Sequence, residues 1–180
     1  DRVLTGVVSA NFFDVLGVKP LFGRAFVDTD DDLGAEAVLL LSYPYWQQRF
    51  GADPDIVGTV FEMNDRPHTV VGVLPPIPQY PRDNDVYMPT SACPFRARGE
   101  ARMHEDRTAF RGMVAFGRLR DGVGTQQFGA DLATVAGRLE QDFPEVYEPG
   151  SGYTAVTIPL TDELTGAARP MLLILLGTTA

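Results

Sequence analysis

The chain has 180 residues, enough for one large domain or two small subdomains on a shared core. Its composition, 44% hydrophobic and 22% charged, is globular, and a net charge of -9 argues against nucleic acid and anionic membrane surfaces, which select basic faces. One cysteine, Cys93, excludes an internal disulfide without excluding an oxidising compartment.

No apolar run stands before or behind Asp1-Arg2, so no signal peptide is read, and the expectation is a piece of a longer chain. Val3 to Val8 reads as a strand. Ser9 or Asn11 can cap a short helix through Leu16, with Phe12 and Leu16 on one face. Gly17 fits the left-handed position after it, and Pro20 forbids continuation. Leu21 to Phe26 is an apolar loop bent at Gly23, followed by the acid run Asp28, Asp30, Asp31, Asp32. Val38 to Leu41 is a buried strand by length and composition. Ser42 caps a helix from Tyr43 to Phe50, with Pro44 tolerated in its first turn and Trp46 and Phe50 on one face.

The pattern is clearest from Ile56 to Pro76. Thr59 to Met63 alternates, with Phe61 and Met63 opposite Val60 and Glu62. Asn64 to Pro67 reads as a turn, and His68 to Leu74 as the returning strand, stopped by Pro75-Pro76. Pro75 to Asp85 is irregular. Val86 to Pro89 reads as at most a short edge strand, and Ser91 to Thr108 as a charged loop. Phe110 to Leu119 reads as a strand turned at Asp121-Gly122. Thr125 to Phe143 is an amphipathic helix, with Phe128, Leu132, Val135, Ala136, Leu139 and Phe143 on one stripe and Pro144 at its end. Tyr153 to Leu160 alternates as a strand. The closing run Met171 to Leu176 is shorter than the about 20 apolar residues of a membrane span. With Arg169 and Pro170 before it, it reads as the start of a transmembrane helix in preference to a terminal core element.

The order of these segments resembles a known family. Val8-Ser9-Ala10-Asn11-Phe12-Phe13-Asp14-Val15-Leu16-Gly17-Val18 and Gly23-Arg24-Ala25-Phe26 resemble the opening of a MacB-like periplasmic core domain. Leu41 to Gly51 resembles its short helix, and Ile56-Val57-Gly58 with Val70 to Pro75 its hairpin. Val86 to Pro89, Gly117-Arg118-Leu119 and the helix to Pro144 continue the series. Each motif alone is weak; the series points to the acidobacterial-type permeases of the ABC exporter class. The resemblance implies an α+β fold of two subdomains. A porter-like α/β sandwich is built from both chain ends, residues 1–36 and 106–166, and a sabre-like β-rich subdomain, 37–105, is inserted. Residues 167–180 begin a transmembrane helix.

It also implies an extracytoplasmic domain at the cell membrane, coupling cytoplasmic ATP hydrolysis to export or release of a substrate outside. The implied partners are the rest of the permease, a separate ATP-binding subunit or domain, a second permease protomer and a periplasmic adaptor. The alternative is a module that captures substrate or adaptor through residues 77–108. A free-standing enzyme finds no support, because the sequence offers no phosphate loop, no nucleophile elbow at Ser42 and no ligand spacing among His68, His104 and Cys93. No catalytic, cofactor-binding or metal residue is therefore assigned. Asp28 to Asp32 alternate like a calcium loop but lack its glycine, and Leu39 stands where its bidentate Glu belongs; a solvated loop is the expectation. Trp46, Tyr43 and Phe50 are read as core. The arginines from Arg96 to Arg120 are read as pairing with local acids before any acidic partner.

Overall fold

The computed structural model describes residues 2–80, 82–106 and 114–166, without the side chains of 100–105. The chain divides into two compact units, Asp1–Phe110 and Arg111–Ala180.

The first unit is built on one mixed six-stranded sheet. Its strands are β1 (Thr5–Val8), β2 (Phe22–Gly23), β3 (Val38–Leu41), β4 (Val60–Met63), β5 (Arg66–Val73) and β6 (Val86–Pro89). Their order is β1-β6-β3-β5-β2, with β4 also on β5. The ladders β1–β6 and β3–β5 are parallel, while β6–β3, β4–β5 and β2–β5 are antiparallel. The uninterrupted apolar run of β3 is buried at every position, as a strand covered on both faces requires. Leu39, Leu41, Val86 and Met88 join Trp46 in the main core cluster. Tyr87, between Val86 and Met88 in β6, turns to the opposite face. There the helix α1 (Phe12–Leu16) covers it, with Phe13 edge-on to Tyr87 at 5.1 Å and tilted to Phe26 at 6.1 Å. The helix α2 (Tyr43–Phe50) covers the first face.

β5 carries a bulge. Leu39 pairs with Val70 but Leu40 pairs with Gly72, so Val71 is the extra residue. The bulge lets Val70 and Val73, three apart, both enter the core cluster. It also brings β2 against β5 where Gly23 faces Gly72. A Cβ on Gly72 would stand 2.7 Å from the Phe22 carbonyl oxygen and 2.8 Å from that of Arg24. Gly23 in turn has φ +74, with the Val71 carbonyl where its Cβ would go. Two glycines permit this approach and larger residues do not.

Several expectations change. The turn between β4 and β5 is two residues, Asn64 (φ 53) and Asp65 (φ 58), the left-handed pair of a tight hairpin. Arg66 and Pro67 already belong to β5, and Pro67 is tolerated because only β4 flanks it there. Val86–Pro89 is an interior strand between β1 and β3, buried throughout, not an edge. Pro89 lies at the last rung, opposite Val8, where a missing N–H is tolerated. Ser91 to Thr108 is not a loop: the helix α3 spans Pro94–Glu105. Its Arg, Ala, Glu and Met residues favour helix without any apolar stripe, so periodicity could not find it. Neither Ser9 nor Asn11 caps α1 by its side chain; Asn11 is the N-cap residue, and the Ser9 carbonyl accepts from Phe12 N–H. The expected division of 1–36 from 37–105 would set β1 apart from the hairpin; the two share the one sheet.

In the second unit, a turn at Asp121-Gly122 (Gly122 φ +82) leads to α4 (Thr125–Asp142), the long helix expected. α5 (Leu160–Thr165) follows. Residues 153–159 form no strand, and 114–119 form none; residues 107–113, which include the start of the expected strand Phe110–Leu119, lie outside the described residues. Val156 and Ile158 are exposed at 78% and 61%, so the alternation there has no ladder to serve. The apolar run from Met171 also lies outside the described residues. Among those described, no helix is long and apolar enough to cross a membrane.

Candidate functional site

Ser42 is buried, and its hydroxyl accepts from the Tyr45 N–H at 3.4 Å, closing the first turn of α2 as its sequence position predicts. Gly51, φ +61, ends the helix in the left-handed conformation. Trp46 is 5% exposed, and its indole N–H donates to the Asp53 carbonyl at 2.8 Å. Trp46 is core, as read from the sequence. Its ring neighbours are Phe22, at 5.4 Å, and Tyr43, at 5.6 Å, while Phe50 meets Phe61 at 5.1 Å. One helical turn separates the two aromatics, and it directs Trp46 toward β2 and Phe50 toward β4. Beside Phe50 lies an apolar trough of about 90 Å³ lined by Val3, Leu39, Leu41, Tyr45, Phe61, Glu62, Met63 and Val86. A second hollow, between α1 and residues 74–80, is about 20 Å³, the size of one water. Ligand pockets are commonly about 300–1,000 Å³. Glu62 is the one carboxylate on the trough, and the hollow is lined by Tyr43, Tyr80 and Tyr87.

The acid run is a 3₁₀ turn, Asp28–Asp31, and its carboxylates hold the fold together. Asp30 is buried. It accepts from both guanidinium nitrogens of Arg24, at 2.6 and 2.9 Å, and from the Val27 N–H at 2.8 Å. Burial alone would raise the pKa of Asp30; the Arg24 hydrogen bonds, the Val27 N–H and the Arg24 charge outweigh it and hold the carboxyl below its ordinary value. Asp31 accepts from Ser91 N–H at 2.9 Å and Ala10 N–H at 3.3 Å, and the Ser91 hydroxyl donates to the Asp30 carbonyl. The run is thus a clasp joining β1's end, the Gly23-Arg24 bend and the 3₁₀ turn Thr90–Ala92. Among the described residues, no group of three or more His, Cys, Asp or Glu side chains is placed to hold a metal ion.

A second clasp escaped sequence reading. Arg66 donates to the carbonyls of Ala35 at 3.0 Å, Ala92 at 3.2 Å and Ser91 at 3.4 Å. In the sequence Arg66 stands in the expected turn, with nothing to mark its distant partners. His68 follows two residues later, 2% exposed, its Nδ1 2.9 Å from the Arg66 carbonyl oxygen. Burial foremost, with the Arg66 charge, holds its pKa below the ordinary value. Cys93 is half-buried at the foot of α3 and packs against the core cluster. The side chain of His104 is not among those described. Of the arginines read as pairing with local acids before any acidic partner, Arg98, Arg118 and Arg120 are exposed.

A model of the MacB-like periplasmic core domain matches residues 1–163. The chain is similar to the crystal structure of the periplasmic region of MacB from Actinobacillus actinomycetemcomitans, with 22% identity and a TM-score of 0.49 over 75% of this chain and 56% of that one. It is also similar to the extracellular domain of the noncanonic ABC-type transporter YknZ from Gram-positive bacteria, with 20% identity and a TM-score of 0.36 over 47% of this chain and 42% of that one. The chain thus spans about half the length of these structures. No curated protein matches it. With its segments in family order over nearly its whole length, the chain belongs to the MacB-like periplasmic core domain family.

Proposed function

We propose that this chain is the extracytoplasmic domain of an ABC transporter permease at the cell membrane, and that it couples cytoplasmic ATP hydrolysis to export or release of a substrate outside. The family match over residues 1–163 carries this reading. On it, the partners are the remainder of the permease, a separate ATP-binding subunit or domain, a second protomer and a periplasmic adaptor, and the domain itself catalyses nothing. A sheet packed on both faces suits such a role, because close-packed interiors deform little and pass displacement on. The division into a porter-like part, 1–36 with 106–166, and a sabre-like insertion, 37–105, belongs to the proposal as a functional division. β1 of the first segment and β6 of the second are neighbours in one sheet, so these two fold together.

A second reading makes residues 77–108 a capture surface for substrate or adaptor; the observation in its favour is Phe95, 73% exposed in the first turn of α3. The test places one label in 37–105 and one on the opposite protomer or adaptor of the whole transporter. Coupling predicts distances that change with ATP binding or hydrolysis. Distances that stay fixed in an active transporter remove the mechanical reading and leave the capture surface, which alanine substitution of Phe95 then probes through partner affinity.

A further inference from the structure

We propose that His68 is a pH-responsive latch that ties the turn Thr90–Ala92, and with it the start of α3, to the β4–β5 hairpin, and that it loosens on acidification. The turn is held to the hairpin by Arg66, whose guanidinium reaches the Ser91 and Ala92 carbonyls while also taking that of Ala35. His68 sits under this clasp. The contact from Nδ1 to the Arg66 carbonyl oxygen, at 2.9 Å, requires the hydrogen on Nδ1. Nε2 then carries a lone pair, and this buried atom has no hydrogen-bond partner. The neutral ring therefore fits with one nitrogen satisfied and one idle, an arrangement that native interiors seldom keep without a reason.

Protonation changes the arithmetic of the site. Nε2 gains an N–H, a buried donor with no hydrogen-bond partner. The Ala92 carbonyl of the same turn accepts from Arg66. The new cation also lies next to the guanidinium in a site that excludes water. No described carboxylate relieves this. β4 sets Phe61 opposite His68 and turns Glu62 to the other face. The turn contributes Thr90, Ser91 and Ala92, all uncharged, and then the Cys93 thiol. Asp30 and Asp31, which touch the same turn, are engaged by Arg24 and by backbone N–H groups, and Glu36 is exposed. Two cations side by side without water are relieved only if the Arg66 clasp shifts away from the imidazolium or water enters, and either loosens the turn.

The sign follows from the depressed folded pKa. The neutral ring's contribution is complete above the unfolded value, about 6.5, and is lost as pH falls from there through the lower folded value. Amide hydrogen exchange of the 180-residue chain between pH 7.5 and 5, corrected for its intrinsic pH dependence, tests it. Protection of residues 90–98 is expected to fall about tenfold for each unit of depression, while β3 and β5 keep theirs. His68→Phe should abolish the fall, and His104→Gln, at the other histidine of the sequence, should leave it unchanged. An equal fall in His68→Phe, or a fall shared by β3 and β5, overturns the latch. Should His68→Phe not fold, the ¹³Cε1 titration of His68 in the parent chain decides. A midpoint below 6.5 that coincides with the exchange transition supports the latch, and a midpoint at or above 6.5, or one apart from that transition, overturns it.

Discussion

The sheet unit and the stretch from 114 to 166 answer the same sequence logic in opposite ways. In β3 every apolar residue of Val38 to Leu41 is buried, and the flanking strands supply both ladder partners. In α4 the stripe reads as clearly, yet only Ala136 is buried, with Val135 half exposed and Phe128 at 37%. The segment 153–159 alternates like a strand and forms none. An amphipathic pattern states that a face suits burial; it does not supply the surface that buries it. A helix forms regardless, because its hydrogen bonds are internal, whereas a strand exists only beside a neighbour.

Substitutions should divide along this line. Trp46→Ala empties a site at the centre of the core cluster and should lower stability by about 3–5 kcal/mol, read from the denaturant midpoint. An unchanged midpoint would remove Trp46 from the core. Gly72→Val drives a side chain into two backbone carbonyls that cannot step aside, and should cost up to about 3 kcal/mol, with loss of amide protection at Leu21 and Arg24, which donate to β5. Asp30→Ala orphans the Val27 N–H and takes the carboxylate from the Arg24 guanidinium, which keeps the Ala25 carbonyl; because Arg24 is 47% exposed, about 1–2 kcal/mol is expected. The pH dependence of that loss has a definite sign. The pKa of Asp30 is depressed in the fold, so its contribution is present above the ordinary carboxylate value, about 3.9, and vanishes as pH falls through the lower folded value. The parent and Asp30→Ala should converge in strongly acid solution. Val135→Asn on α4 should change stability by less than about 0.5 kcal/mol, the scale of exposed positions. A cost like that of Trp46 would show the stripe to be buried in solution.

Much of the first unit was legible because its signals are local. Ser42, Pro44 and Gly51 mark both ends of α2 by backbone chemistry that needs no tertiary partner. Phe61 and Met63 against Val60 and Glu62 set the faces of β4. What stayed hidden depends on residues distant in sequence. Val86–Pro89 becomes an interior strand through β1, about eighty positions earlier, and no feature of its own four residues announces that. The Asp30 and Asp31 carboxylates look like a solvated run until Arg24 and Ser91 are seen to meet them. Arg66 likewise gains its role from carbonyls at 35, 91 and 92. α3 was missed for a different reason, since a helix held by propensity and not by an apolar face leaves no periodic trace.

The pairing of Thr5 with Val86 also dictates an order of events during synthesis. β3, α2 and the hairpin lie within residues 38–73, and their contacts close over short loops as soon as that stretch has emerged. β1 emerges first and waits. Among the described residues its one partner in the sheet is β6, so its ladder waits while about eighty further residues are made, and closing so long a loop adds its own entropic cost. The first strand of the chain is thereby the last to join the sheet, and a nascent chain halted before Val86 would carry β3 with one flank open.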